Sequence, residues 1–294
     1  MNRGTKISTI LALFIVVIIA ISVVAFNGIG EEKQTLKIAT TTSLEDTGLL
    51  AELEREFELK YPHIDVQIVS AGTGQALEYG KKGDVDLVMV HSKKQETAFI
   101  DDGYGSNRTI FAYNYFYIVG PENDPANITG SSPTEAFYKI LSAGGSADIE
   151  FVSRGDNSGT HNRELTLWNS TGAEYNTSVR EQTWYVETGK GMGDTLTITN
   201  EKSAYTLSDS GTYLAYKGDI TLTALITEGS ELLNVYSLIP VNPNKFPDAN
   251  SDGANLWIAF ITSIDGQKII ESYGVSDHGQ TLFTPFVGIE DPQG

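Results

Sequence analysis

The stretch Leu36-Lys37-Ile38-Ala39-Thr40-Thr41-Thr42-Ser43 decides how this chain is read. Its first four residues alternate like a strand, and apolar Leu49, Leu50, Leu53 and Phe57 then recur at helical spacing. A strand therefore runs into a helix through a turn built of hydroxyl residues. The same grammar returns downstream. Val66-Gln67-Ile68-Val69 reads as a strand, Ser70-Ala71-Gly72-Thr73-Gly74 as the turn, and the residues after Gly74 as a helix. Val85 to Val90 reads as a strand buried on both faces. Strand and helix patterns alternate from Leu36 onward, which predicts an α/β fold with a largely parallel sheet.

Two strand-like segments stand apart from this alternation. Phe111 to Val119 is long and aromatic, carrying Phe111, Tyr113, Tyr115, Phe116 and Tyr117, and Tyr236 to Val241 lies far downstream. Strands so placed can carry the chain from one lobe to another and back. The expected architecture is two α/β lobes around a cleft, with these strands as the crossing hinge. Residues 34–113 and 238–294 would form lobe one and 114–237 lobe two. Ala254 to Tyr273 reads as helix, stopped by Gly274.

Arg3 and Lys6 precede an apolar run from Ile7 to Phe26 that is about long enough to span a bilayer as a helix. The basic residues should stay inside and place the remainder outside, as an uncleaved anchor, with a cleaved signal peptide as the rival. Residues 1–33 are then anchor and linker. N-x-S/T triplets begin at Asn107, Asn127, Asn169 and Asn176 and add weak support for an external location. The chain has no cysteine, which excludes disulfides, thiolate metal sites and a lipid-bearing cysteine. Its net charge of −18 argues against nucleic acid as a partner. It does not exclude a small anion, because a local cluster of N–H donors decides that affinity.

Three segments share one chemical character: a strand end, a turn rich in Ser, Thr and Gly, and a helix start. They are Thr40 to Ser43, Ser70 to Gly74, and Ser153-Arg154-Gly155-Asp156-Asn157-Ser158-Gly159-Thr160. A helix N-terminus offers unpaired N–H groups and the positive end of a dipole. Hydroxyls add neutral donors, and glycine lets the backbone approach a ligand closely. Arg154 adds a planar cationic fork suited to oxyanions. Any one such segment is ordinary helix capping. Three together, with one arginine, point to an anion site.

These motifs resemble those of the tungstate-binding proteins of ABC importers. The resemblance rests on Ala39 to Ser43, Gly83 to Leu87, His91-Ser92, Ser153 to Glu164, Gly189 to Asp194 and Ala204 to Thr212, and runs from about Leu36 to the C-terminus. It implies a two-lobed periplasmic-binding-protein fold of the second type, with a tetrahedral dianion between the lobes. It also implies that Thr42, Ser43 and Thr73 donate from lobe one, and Arg154, Ser158, Gly159 and Thr160 from lobe two. The ligand would be tungstate, with molybdate or phosphate as alternatives, and no cofactor or metal is expected. The partners would be the oxyanion and an ABC permease, for a monomeric, extracytoplasmic protein that is not an enzyme. Asp156 bears on the choice of anion, because an unpaired carboxylate would welcome protonated phosphate and repel tungstate. It is expected to pair with Arg154 or to cap the following helix.

A hydrolase is the rival of another class. Asp46-Thr47-Gly48 and Asp209-Ser210-Gly211-Thr212 look like the paired loops of an aspartic protease, whose carboxyls must lie within hydrogen-bonding reach. Capping is the plainer reading of both. Ser158, His161 and Asp156 lie too close along one helix start to form a relay.

Overall fold

The computed structural model describes residues 33–146 and 149–288, and the apolar run Ile7–Phe26 lies outside them. Among the described residues no helix is long and apolar enough to cross a membrane. From Thr35 on the chain forms one compact unit.

The first strand, β1 (Gln34–Thr41), turns into the short helix α1 (Thr42–Glu45) and then α2 (Leu49–Lys60). There follow β2 (Ile64–Ala71), α3 (Thr73–Lys82), β3 (Leu87–Val90), α4 (Lys93–Asp101) and the long β4 (Thr109–Gly120). The middle of the chain holds α5 (Pro133–Ala143), β5 (Phe151–Ser153), α6 (Gly159–Ser170), β6 (Tyr185–Glu187) and α7 (Met192–Lys202). It closes with β7 (Thr206–Asp209), α8 (Ser210–Tyr216) and β8 (Thr223–Ile226). Then come β9 (Leu233–Pro240), α9 (Ser251–Ile261), α10 (Ile264–Ser272), α11 (Val275–His278) and β10 (Thr284–Gly288).

The main sheet has the order β10-β4-β9-β3-β1-β2, with β7 and β8 also paired to β4, while β5 and β6 form a separate parallel pair. The sheet is mixed and not largely parallel. β1 and β3 run parallel, but β9 is antiparallel to both β3 and β4. β4 changes partner along its length: Thr109–Tyr115 pairs with β9, and Phe116–Val119 pairs with β7. One strand therefore passes from one core to another. Phe57, Trp257 and Phe260 pack in the first core, with Phe57 and Trp257 centroids 5.0 Å apart. Phe137, Phe151 and Trp168 fill the second, at 4.4 Å between Phe137 and Trp168. Burying such rings supplies the main favourable term for each core.

Two local readings change. The strand expected at Tyr236–Val241 begins at Leu233, because polar Asn234 and Ser237 are buried in it and mask the apolar pattern. The single helix expected over Ala254–Tyr273 is two. Ser263 caps α10 by accepting from Gly266 N at 3.2 Å. A Cβ on Gly266 would stand 2.2 Å from Phe260 O, so only glycine lets the new helix start against the end of α9.

Candidate functional site

All three hydroxyl-rich turns are strand-to-helix junctions. At the first, Thr41 caps α1 through Oγ1, which accepts from Leu44 N. At the second, Gly72 precedes α3 and leaves Thr73 at its first position. At the third, the Ser158 hydroxyl accepts from His161 N at 3.2 Å and starts α6, so Gly159 and Thr160 form its first turn. Gly155 and Asn157 take left-handed backbone at φ 60° and 59°. A Cβ on Gly155 would also lie 2.7 Å from Glu187 Cβ.

The structure brings these turns together from opposite cores. Arg154 Nη2 donates to Thr42 Oγ1 at 3.1 Å. Gly74 N donates to Asn157 O at 3.4 Å, and Gln95 Nε2 donates to Asn157 Oδ1 at 3.0 Å. Gly72 lies against Asp156 and Ser158, and Gly159 packs on the ring of His91. Thr212 Oγ1 lies 3.3 Å from Ser43 O, and Gly193 N donates to the Asp46 carboxylate at 3.3 Å. Of the seven residues proposed from sequence, Thr42 is half-buried, and Ser43, Thr73, Arg154, Ser158, Gly159 and Thr160 are buried.

Their hydrogen-bonding capacity is incompletely used. Thr73 Oγ1, Thr160 Oγ1 and Arg154 Nη1 are buried and meet no partner among the described residues. An unmet buried donor costs about 1–3 kcal/mol, so three of them on turns that touch one another suit an acceptor-rich guest. Arg154 is only 2 % exposed and its charge is balanced within the loop. Asp156 Oδ2 accepts from Arg154 Nε at 3.1 Å and from Nη2 at 2.6 Å. Oδ1 accepts from Ser158 N at 3.1 Å. Asp156 thus pairs with Arg154 as expected, while the cap of α6 is Ser158 and Asp156 holds only the N–H of that capping residue.

His91 was singled out in sequence only as part of a motif. It stands at the C-terminal end of β3, where ligands of open α/β sheets gather, as Thr41 and Thr42 stand at the end of β1. Its Nε2 lies 3.1 Å from Ser43 Oγ and its Nδ1 2.8 Å from Asn234 Oδ1. Tyr236 stacks on the ring at 4.8 Å. Burial, with the positive Arg154 and Arg163 nearby, outweighs the Asn234 contact and pushes the imidazole down to about 4, so it is neutral at pH 7. Gln95 and Asn234 were likewise invisible, since both act on residues far away in sequence. Lys190, within the Gly189–Asp194 motif, is exposed.

The protease geometry is not met. The Asp209 carboxylate accepts from Thr212 N at 2.9 Å and from its hydroxyl at 2.7 Å, as the cap of α8. Asp46 accepts from Gly193 N, and no hydrogen bond joins the two carboxyls. Burial raises both, Asp209 to about 6. His161 Nδ1 accepts from Asn157 N at 3.0 Å, so no Ser158–His161–Asp156 relay exists.

Comparison with known proteins agrees with the geometry. The profile of the PBP superfamily domain matches residues 28–265. The tungstate-binding protein TupA of Peptoclostridium acidaminophilum is 41% identical over 258 residues, covering 87% of each chain. The chain belongs to the PBP superfamily and, within it, to the tungstate-binding protein family. Two solved members of this family are similar throughout. The tungstate ABC transporter structure from Geobacter sulfurreducens is 45% identical with a TM-score of 0.71, covering 81% of this chain and 98% of that one. The tungstate-binding protein of Desulfovibrio alaskensis is 39% identical with a TM-score of 0.72, covering 87% and 100%.

Proposed function

We propose that this protein captures tungstate outside the cytoplasm and delivers it to an ABC permease. The observation that carries the reading is that Thr73 Oγ1, Thr160 Oγ1 and Arg154 Nη1, carried on turns that touch one another, are all buried and without partners among the described residues. With Thr42, Ser43, Ser158 and the Gly159 N–H, they supply donors from three helix starts to one tetrahedral oxyanion. Kinship with tungstate-binding proteins supports the choice of anion. So does the state of Asp156, whose two oxygens already accept three hydrogen bonds. Phosphate keeps a proton at neutral pH and needs an acceptor for it, whereas tungstate brings none.

In this reading, residues 34–113 with 238–294 and residues 114–237 are lobes that open and close on β4 and β9. Binding replaces the hydration shell of the dianion by fixed donors, and no bond is made or broken. The protein acts as a monomer held at the membrane by Ile7–Phe26. Calorimetric titration of the full-length chain with tungstate, molybdate, sulfate and phosphate tests the assignment. Tungstate should bind far more tightly than sulfate or phosphate. Equal affinity for phosphate across neutral pH would overturn the choice of anion.

A further inference from the structure

Behind Ser43 runs a buried chain of polar side chains that ties the anion-facing turn to the two long strands. Ser43 Oγ meets His91 Nε2 at 3.1 Å, His91 Nδ1 meets Asn234 at 2.8 Å, and Asn234 meets Asn114 at 2.8 Å and the Tyr236 hydroxyl at 3.0 Å. All five residues are at most 5 % exposed. Asn114 and Asn234 are register partners on β4 and β9. Such a chain has two polarities. A half-turn of each terminal amide exchanges oxygen and nitrogen at the same positions, and neutral imidazole carries its proton on either nitrogen.

The two polarities give Ser43 opposite characters. If His91 is protonated on Nδ1, its Nε2 is a lone pair and takes the only hydrogen that Ser43 owns. Ser43 then offers an oxygen lone pair to an anion, which is repulsive. If His91 is protonated on Nε2, it donates to Ser43 Oγ. Thr41 Oγ1, 3.2 Å from Ser43 Oγ, already accepts from Leu44 N and can add its own hydrogen to the second lone pair. The hydrogen of Ser43 is then available to donate, with the neighbouring Tyr236 hydroxyl as the protein acceptor that an anion must displace.

Asn114 ends the chain on β4. With Asn234 donating to Asn114 Oδ1, Asn114 Nδ2 is a buried donor that meets no acceptor. It lies 3.4 Å from the place a Cβ on Gly211 would take, at the N-terminal turn of α8. Asp209 Oδ1 lies 3.3 Å from the same place. Turning both amides puts Asn114 Oδ1 there, and the chain then runs Asn114 to Asn234 to His91 to Ser43, each donating to the next.

We propose that His91 is a positioning residue for anion binding: protonated on Nε2 and donating to Ser43 Oγ, it turns the Ser43 hydroxyl into a donor towards a fully deprotonated oxyanion. The effect on affinity rests on the anion-binding function proposed above. The tautomer itself does not. His91 remains uncharged throughout, so this is a matter of proton position and not of titration.

The test has two independent arms, both on the full-length chain. Nitrogen-15 NMR of selectively labelled histidine, assigned by loss of the His91 signal in His91→Gln, reads the tautomer without any ligand. Protonation on Nε2 is expected, and protonation on Nδ1, with and without tungstate, overturns the proposal. Calorimetry with sodium tungstate then compares variants. His91→Leu should weaken binding by about 10- to 100-fold, as loss of one hydrogen bond to a charged group does. His91→Gln, whose amide N–H can replace Nε2–H, should restore most of it. The double variant His91→Leu/Ser43→Ala should bind no worse than Ser43→Ala alone. Additive losses would show that His91 acts otherwise than through Ser43. If the wild-type chain binds no tungstate, the functional reading fails while the NMR arm still decides the tautomer.

Discussion

Replacing Arg154 by glutamine is the sharpest perturbation of the site. The side chain performs two tasks that the structure separates by atom. Nε and Nη2 hold Asp156, Nη2 also holds Thr42, and Nη1 has no protein partner among the described residues. Loss of an Nη1 contact to the dianion should cost about 1.5–3 kcal/mol, or roughly one to two orders of magnitude in affinity. The same change leaves the Asp156 carboxylate, whose side chain is 17 % exposed, without its cation and facing the anion. Breaking a largely buried pair in this way can itself cost about 3–5 kcal/mol of fold stability. Arg154→Gln/Asp156→Asn removes the stranded charge and distinguishes the two tasks. Calorimetric titration with tungstate and the melting temperature of the ligand-free protein should be measured on the same three proteins. The double variant should regain thermal stability and remain at least about tenfold weaker than wild type. Wild-type affinity in the double variant would refute the reasoning, because Arg154 would then serve only to neutralise Asp156.

The remaining expectations follow from single atoms. Thr73→Val and Thr160→Val each remove a buried hydroxyl that has no partner, so each should raise the ligand-free melting temperature or leave it unchanged, while weakening tungstate binding by about 0.5–1.5 kcal/mol; a lowered melting point with intact affinity would contradict this. Gly159→Ala places a Cβ 2.7–3.0 Å from the His91 ring and should force the α6 start away from Ser43, weakening binding without unfolding the chain, as circular dichroism and calorimetry together would reveal. Glu164 is buried against Ser153, Trp168 and Tyr185, and desolvation raises it from 4.5 to about 7. Between those values the folded state holds a proton that the unfolded state has lost, so this residue's contribution falls as pH rises from about 4.5 through about 7. Glu164→Gln should therefore flatten the decline in urea-denaturation stability over that window, and an unchanged slope would refute it.

Much of the fold was legible because its signals are local. A hydroxyl turn between a period-2 and a period-3.6 pattern marks a strand-to-helix junction wherever it occurs, and the turns at Thr41, Gly72 and Ser158 all behave so. The orientation of the central strands was not legible. Asn114 and Asn234 are register partners 120 residues apart, and nothing in an apolar run states which way its neighbour runs. The split of the last helix into α9 and α10 depends on Gly266 against Phe260 O, a contact that periodicity cannot express. The proposed binding residues were visible through their chemistry, but the residues that touch them were not. His91, Gln95 and Asn234 carry no anion-binding character of their own and matter only for what they touch.

The arrangement also explains how a protein of charge −18 can hold a dianion with a single buried arginine. Arg154 and Asp156 together are neutral, so attraction falls to helix-end N–H groups and hydroxyls, whose range is short. Short range makes geometry the selector. Donors without free acceptors disfavour phosphate, yet they do not by themselves distinguish tungstate from sulfate, which is also fully deprotonated and smaller. What separates those two must be the distance between donor sets. That distance is fixed by contacts made directly between protein groups: Arg154 to Thr42 at 3.1 Å, Thr212 to Ser43 O at 3.3 Å, Gly193 to Asp46 at 3.3 Å and Gly74 to Asn157 at 3.4 Å. If they limit how far the donor-bearing turns can draw together, a smaller tetrahedron would reach fewer of the donors at hydrogen-bonding distance. Loosening these contacts, as Gln95→Ala would by freeing Asn157, should cost tungstate affinity and lower the ratio of tungstate to sulfate binding. A Gln95→Ala variant with a lower affinity but an unchanged ratio would locate size selection in the donors themselves.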